Sequence, residues 1–265
     1  MDSPIRWAGS KRRLRKMLAL KIAASHKKRY VEPFCGSANL FFFYEPSTAV
    51  LSDRNEWLIT TLIAIRDRPH VIAAIVARMN PDKDTFNRVR SRHHQDCDAD
   101  TAAANFLFLN RLCFNGIFRT NKAGFFNVPY SGHKTGPMVD LAKLEAASAA
   151  LSTADIHHAD FSDIVEQRVD ADSVVYLDPP YATNNGRVFH QYNYNTFGVK
   201  DILRLESAVE KIDEIGGAFV LSYADVPEVQ SLKSRWKTEI VSVQRNIAGF
   251  TSNRRESSEV VISNF

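Results

Sequence analysis

Residues 174–181 read Val-Val-Tyr-Leu-Asp-Pro-Pro-Tyr. Four apolar residues suit a buried strand, and they stop at an acid, two prolines and an aromatic ring. Proline has no N–H for a sheet ladder, so the strand must end there. What remains is a stiff loop carrying the Asp178 carboxylate, the Pro179 carbonyl and the flat ring of Tyr181. In open α/β sheets, ligands bind at this carboxyl edge. A site that holds a planar heterocycle by its amino group needs acceptors in the ring plane and a π-face for stacking. Two prolines by themselves read as a tight turn. The added acid and ring, directly after an apolar run, favour a ligand site.

A second group of residues can bind a nucleoside. Tyr30-Val31-Glu32-Pro33 reads as a short strand and runs into Phe34-Cys35-Gly36-Ser37-Ala38. The apolar helical stretch Asn39–Tyr44 follows, then a strand over Ala49–Ser52 that ends at Asp53. Gly36 and Asp53 are 53 − 36 = 17 residues apart, close to the roughly 20 that separate a nucleotide-binding turn from its ribose-binding acid. Asp53 also suits a helix N-cap.

The elements that must position these residues follow a regular pattern. Residues 10–24 predict a helix, with Leu14, Met17, Leu18 and Ile22 at helical spacing. Residues 56–79 read as helical. From about 82 to 143 helical patches alternate with turn-rich text, which reads as an inserted, mainly helical subdomain with a hairpin near 117–129. Strands are expected at Asp155–His158, Val174–Leu177, Ala218–Ser222, Glu239–Val243 and Val260–Ser263. A helix over 200–215 is closed by Gly216-Gly217. Strands alternating with helices predict an α/β fold, with a mixed, mostly parallel sheet and helices on both faces. The expected division is a catalytic part, 1–55 and 144–265, and a recognition part, 56–143.

Composition bounds the rest. The chain has 265 residues, 45% hydrophobic and 24% charged, and its net charge is 34 − 30 = +4. Such a chain can build a sizeable core. The basic residues cluster: Arg12, Arg13, Arg15 and Lys16, then Lys27 to Arg29, then Arg88, Arg90 and Arg92, then Arg111, Arg119 and Lys122. Such runs serve as solvated faces or as phosphate contacts. Cys35, Cys97 and Cys113 are far apart and odd in number, so neither a disulfide framework nor a zinc site is expected. His93-His94 and His157-His158 are sequence neighbours whose side chains diverge, and no metal is expected. No apolar run reaches about 18 residues, and the N-terminus lacks a signal-peptide core, so no membrane partner and a cytoplasmic location are expected.

Four landmarks stand in order: Trp7-Ala8-Gly9-Ser10-Lys11, Val31-Glu32-Pro33-Phe34-Cys35-Gly36, Asn110-Arg111-Leu112-Cys113-Phe114-Asn115-Gly116, and Asp178-Pro179-Pro180-Tyr181. Gly249-Phe250 and Asn253-Arg254-Arg255-Glu256 close the chain. Over nearly its whole length the chain resembles the deoxyadenosine methylase (Dam) family, the α-group of DNA adenine-N6 methyltransferases. The resemblance implies a Rossmann-like S-adenosyl-L-methionine (SAM)-dependent methyltransferase fold with a target-recognition insert.

It also implies SAM as cofactor, with Trp7, Lys11, Glu32, Phe34, Gly36, Asp53, Asp160 and Asp178 at the matching positions. Lys11 can pair with the cofactor's carboxylate and Trp7 can wall off its apolar part, or serve as a core anchor. Asp53 can bridge the ribose diol. The chain departs from the family's Phe-x-Gly-x-Gly pattern at Ala38, which is expected to adopt ordinary helical dihedrals. Asp178, Pro179 and Tyr181 match the catalytic positions. Asp178 and the Pro179 carbonyl would accept the two N–H groups of an adenine amine, and Tyr181 would stack on the base.

The same resemblance implies double-stranded DNA as partner. Phe114 and Asn115 match residues that enter the gap left by a flipped base, and Arg119 matches a guanine contact. Ile117 and Pro129 match neighbours of a thymine methyl, with core packing as the other reading for Phe114 and Ile117. Arg111 and Asn121 complete the set, while Arg6 and His133 fall at base-contact positions with side chains not expected there. A GATC-like target stands as an expectation. A methylase of RNA adenine or of protein glutamine, and an inactive binding module, stay open. So does a cognate restriction nuclease or defence-system partner.

Overall fold

The computed structural model of the chain describes residues 1–132, 136–181, 197–245 and 255–265. Its strands are β1 (Arg29–Glu32), β2 (Ala49–Asp53), β3 (Ala154–His158), β4 (Ser173–Leu177), β5 (Ala218–Ala224), β6 (Lys237–Arg245) and β7 (Arg255–Ser263). Among the described residues these form one sheet in the order β3-β2-β1-β4-β5-β7-β6. Neighbours from β3 through β5 run parallel, and β7 is antiparallel to both β5 and β6. The chain winds outward from β1 to β2 and β3, then returns to the other side of β1 at β4. The boundary between β1 and β4 is therefore the topological switch point, where such sheets open a crevice at the strand ends.

Side-chain alternation divides the sheet into two buried faces. Tyr30, Leu51, Val174, Tyr176, Val220 and Val261 join one cluster. Val31, Val50, Val175, Leu177, Leu221, Val260 and Ile262 join the other. A period of two is what a strand buried on both faces requires. Six helices cover the first face: α1 (Arg15–Ala24), α2 (Asn39–Tyr44), α3 (Glu56–Asp67), α4 (Pro69–Ala77), α6 (Ala99–Leu112) and α7 (Leu141–Leu151). Three cover the second: α8 (Phe161–Arg168), α9 (Val199–Glu214) and α10 (Gln230–Arg235). The helix α5 (Lys83–Arg90) packs with the end of α6 in a third cluster, around Phe86, Phe108, Leu112, Phe126 and Val128. Segment 56–143 thus supplies both the sheet's own core, through α3, α4 and α6, and a separate cluster beyond it.

The expected helical stretch 56–79 is two helices. Pro69 sits at the first position of α4, and Arg68 before it leaves helical space at φ −141°, ψ 52°. A proline excludes helical dihedrals from its predecessor, which breaks the run there. The helix expected over 10–24 begins at Arg15. The hairpin near 117–129 is present as an antiparallel bridge between Thr120 and Phe126, extended by Asn127 N–H donating to the Arg119 carbonyl at 2.8 Å. The helices α8 and α10, of eight and six residues, were not anticipated.

The N-terminal segment is held to the end of α6 by one side chain. The Asn110 Oδ1 accepts the Arg6 N–H at 2.8 Å, and its Nδ2 donates to the Arg6 carbonyl at 2.7 Å. Asn110 is only 2% exposed, so its loss leaves both backbone groups without their partner. Asn110→Ala is expected to lower stability by about 2 kcal/mol, read from urea denaturation. Asn110→Asp, which sets a carboxylate oxygen against the Arg6 carbonyl at a buried position, should cost at least as much.

Candidate active site

The strand ends at the switch point carry the two motifs that the sequence places about 145 residues apart. β1 and β4 are neighbours, with Val31 opposite Val175, so the Glu32–Gly36 turn and the Asp178–Tyr181 loop leave adjacent strands side by side. Alternation puts Glu32 on the face of Tyr30, Asp178 on the face of Tyr176, and Ser222 on the face of Val220. β7 runs the other way, with Glu259 opposite Ala224 and Val261 opposite Ser222. Its N-terminal half therefore reaches the same carboxyl edge and adds Glu259 to the same face.

These residues meet around one ammonium. Lys11 Nζ lies 2.9 Å from Asp178 Oδ1 and 3.6 Å from Glu259 Oε2. It donates to the Tyr181 hydroxyl at 2.9 Å, which donates in turn to Glu259 Oε1 at 3.1 Å. Lys11 Nζ also stands 5.0 Å from the centre of the Tyr181 ring. Burial works against the charged amine, but Asp178, Tyr181 and Glu259 together raise its pKa, so Lys11 stays an ammonium. Burial raises the Asp178 pKa, with Lys11 and Ser222 pulling the other way. Ser222 Oγ donates to Asp178 Oδ1 at 3.1 Å and lies 2.9 Å from the Tyr176 hydroxyl. A serine has one hydroxyl hydrogen, so Tyr176 must be the donor in that second contact. Both anchors act on Oδ1, and no described residue donates to Oδ2. Pro179 is buried, Pro180 exposed and Tyr181 half-buried, with Tyr181 braced edge-on by Tyr223 at 5.2 Å.

On the β1–β2 side, Gly36 has φ +48°, and a Cβ there would lie 2.9 Å from Trp7 Cδ1 and Nε1. Glycine permits both the dihedral and the indole contact. Trp7 stacks in turn on Phe118 at 5.8 Å. Ala38 does not take helical dihedrals. It sits at φ 52°, ψ 35° as the residue before α2, so the departure from glycine places an L-residue in left-handed space. Asp53 accepts the Gly36 N–H at 3.0 Å and the Asn55 N–H at 2.9 Å. Burial raises its pKa against these donors. The N-cap of α3 is Asn55, not Asp53. Glu32 is 3% exposed, accepts the Tyr30 hydroxyl at 2.9 Å, and has its pKa raised by burial. Phe34 stacks on Phe161 at 4.9 Å and meets Phe197 edge-on at 6.0 Å. Asp160 caps α8 through the Ser162 N–H at 3.0 Å and is also held by Arg204. Its pKa is lowered: burial acts upward, and the Ser162 and Arg204 contacts outweigh it.

The described residues matched to DNA contacts fall on the N-terminal segment at Arg6, the last turn of α6 at Arg111, the loop after α6 and the hairpin beyond. Phe114 is 47% exposed, which removes core packing as its role. Asn115 is exposed at φ 54°. Ile117 is half-buried against the third cluster. Arg6 packs on Gly116, where a Cβ would meet its own Cβ at 2.7 Å, and it donates to the Arg111 carbonyl at 3.2 Å. Burial, with Arg6 nearby, lowers the Arg111 pKa. Arg119 donates to the Asn127 carbonyl at 2.6 Å. Asn121 Oδ1 accepts the Ala123 and Phe125 N–H groups and shapes the hairpin turn. Pro129 is exposed, and its carbonyl accepts the Phe114 N–H at 3.0 Å. His133, Gly249, Phe250, Asn253 and Arg254 lie outside the described residues.

Sequence reading missed Ser222, Glu259, Arg204 and Asn110. Ser222 and Glu259 had a signal: each is a polar residue at an inward position of an apolar strand. Arg204 had none, because its partner Asp160 is 44 residues away.

Among the described residues the sheet has seven strands, one of them reversed, with a glycine turn and an Asp-Pro-Pro-Tyr loop at its switch point. The family model of D12 class N6 adenine-specific DNA methyltransferases matches residues 7–248, and the chain belongs to that family. The type II methyltransferase M.MjaIII of Methanocaldococcus jannaschii is 31% identical over 239 residues, spanning 82% of each chain. The type II methyltransferase M1.LlaDCHI of Lactococcus lactis subsp. cremoris is 27% identical over 98% of this chain and 94% of its own. The DNA adenine methylase of Escherichia coli K12 is 28% identical over 97% of this chain and 93% of its own. Among the described residues no helix is long and apolar enough to cross a membrane.

The Gly36–Trp7 contact yields a direct test. Gly36→Ala is expected to lower stability by about 1–2 kcal/mol through its left-handed φ and to displace the indole. Urea denaturation and a shift in tryptophan emission would record the two effects.

Proposed function

We propose that the protein transfers a methyl group from SAM to N6 of an adenine extruded from duplex DNA, with Asp178 holding the amine. The observation that carries this is the Asp178 carboxylate: fixed through Oδ1 by Lys11 and Ser222, beside the Tyr181 ring, and one strand from the Gly36 turn.

The donor set suits the cofactor. Asp53 and Asp160 are acceptor groups at the carboxyl ends of β2 and β3, matched to a ribose diol and an adenine amine. Phe34 offers an aromatic wall between them. Trp7 and Lys11 flank the methionine end. When bound, SAM supplies an electrophilic methyl group on a sulfonium. The protein's part is to make a poor nucleophile attack it. The lone pair of adenine N6 is delocalised into the ring. Asp178 Oδ2 and the Pro179 carbonyl accept the two N–H groups, which localises the lone pair and stabilises the positive charge building on nitrogen. Tyr181 stacks on the extruded base and offsets part of the few kcal/mol needed to flip it. Once methylated, the cationic nitrogen would pass its proton to Asp178 Oδ2, the carboxylate oxygen already accepting its N–H, and from there to solvent.

Residues 56–143 serve as the recognition part and 1–55 with 144–265 as the catalytic part. Phe114 and Asn115 enter the gap left by the flipped base. Arg119 reads guanine through its paired acceptors. Ile117 and Pro129 face a thymine methyl, and Arg6, Arg111, Asn121 and His133 contribute further contacts at a GATC-like target. The type II naming of two relatives suggests a cognate restriction nuclease as partner.

Asp178→Ala is expected to reduce methylation of duplex DNA by about 100-fold or more with DNA affinity little changed. Radiolabelled methyl transfer and a gel-shift titration measure the pair, and modification-sensitive sequencing of treated DNA identifies the atom and the site. Unmethylated DNA after treatment with the wild-type protein would sink the assignment.

The pH dependence follows from the same corner. Asp178 must be ionised to accept the amine, and burial raises its pKa. Turnover is therefore expected to fall on acidification at a pH above the ordinary carboxylate range. Lys11 lowers the Asp178 pKa, so Lys11→Met should move this acid limb to still higher pH, visible in kcat against pH.

A further inference from the structure

We infer that Glu259 is a positioning residue for methyl transfer, acting through Tyr181 and Lys11. This rests on the proposed role of the Asp178–Tyr181 loop. Glu259 comes from β7, near the end of the chain, and neither the glycine turn nor the Asp-Pro-Pro-Tyr loop contains it. It is 4% exposed, a position where a carboxylate needs partners. Its partners are the groups that set the site. Oε1 accepts the Tyr181 hydroxyl at 3.1 Å, and Oε2 faces Lys11 Nζ at 3.6 Å.

Two consequences follow. Among the described residues the Tyr181 ring is fixed at its hydroxyl, between Lys11 and Glu259, and by the perpendicular ring of Tyr223. A ring fixed in this way presents one plane for a base to stack on. Lys11 is also shared between two carboxylates, so Asp178 is not its sole counter-ion. A second acceptor lets the ammonium ease toward Glu259 when the positive charge of the adenine amine builds beside Asp178. Glu259 touches neither reacting atom, so its effect should appear in the chemical step and in base stacking.

Glu259→Ala is expected to lower kcat at saturating DNA by about 10- to 100-fold, the scale set by small misplacements of a reacting pair. The KM for SAM should stay within about twofold. Glu259→Gln keeps an acceptor for Tyr181 and should recover part of the loss. With 2-aminopurine at the target position, Glu259→Ala should give a brighter signal than wild type, because the flipped base is no longer held against Tyr181. In a Lys11→Met, Tyr181→Phe background the further change to Glu259→Ala should have almost no effect on kcat, whereas a merely structural residue would add its full loss. Urea denaturation of each variant tracks folding. Unchanged kcat and 2-aminopurine signal in folded Glu259→Ala, beside an active wild type, would overturn this inference and leave the function standing. Full additivity in the triple variant would overturn it as well. A wild type that leaves DNA unmethylated would overturn both.

Discussion

The site depends on one ammonium facing two carboxylates, one buried and one half-buried. Asp178 and Glu259 both point at Lys11, and among the described residues no other cation is paired with either. Unit charges about 4 Å apart interact by on the order of 4 kcal/mol at an effective dielectric near 20. Burial and the Glu259 charge push the Asp178 pKa up, and Lys11 pulls it down. Lys11 thus does more than join the N-terminal segment to the loop. It also favours the ionised form of Asp178. Ser222 and Tyr176 add a donating chain on the other side of Asp178, so the carboxylate is held in position as well as in charge.

This arrangement needs the reversed strand. In an all-parallel sheet every strand delivers its C-terminal end to the ligand edge. β7 delivers its N-terminal half instead, because it pairs antiparallel with β5. Glu259 can therefore face Ser222 and Asp178 from a segment that closes the chain, while Val261 and Val260 bury themselves on the two faces below it. The apolar half of β7 holds the sheet, and Glu259 enters the site. One register sets both, because a slip by one residue would turn Glu259 to the other face.

The legible and the hidden parts of the structure divide along physical lines. Strand identities and the two loops were readable because they are local: an apolar run, then a residue type that must stop it. Asp178, Tyr181, Gly36 and Asp53 all stand at such stops. The break at Arg68-Pro69 was also local and should have been read, since proline constrains its predecessor. Helix α8 was hidden because its eight residues make too few turns for a period to show. Ala38 looked harmless, since nothing in a single sequence says that a position has a positive φ. Asn110, Arg204 and Glu259 act across long sequence separations, and only the fold brings their partners near. Asn110 stands in a motif that drew attention to Phe114 and Asn115, yet its own work is to hold Arg6.

That hold ties the two functions of the chain together. The segment from Arg6 to Lys11 touches the loop after α6 at one end and Asp178 at the other. Arg6 is fastened to Asn110 and packs on Gly116, Trp7 lies between Gly36 and Phe118, and Lys11 reaches Asp178. Six residues of backbone span these contacts, and a trans chain extends at most about 3.3–3.6 Å per residue. A shift of the loop after α6 by even a fraction of that length must be absorbed within the segment or passed on to Trp7 and Lys11. The segment therefore runs from the loop that carries Phe114 and Asn115, past the glycine turn at Trp7, to Asp178.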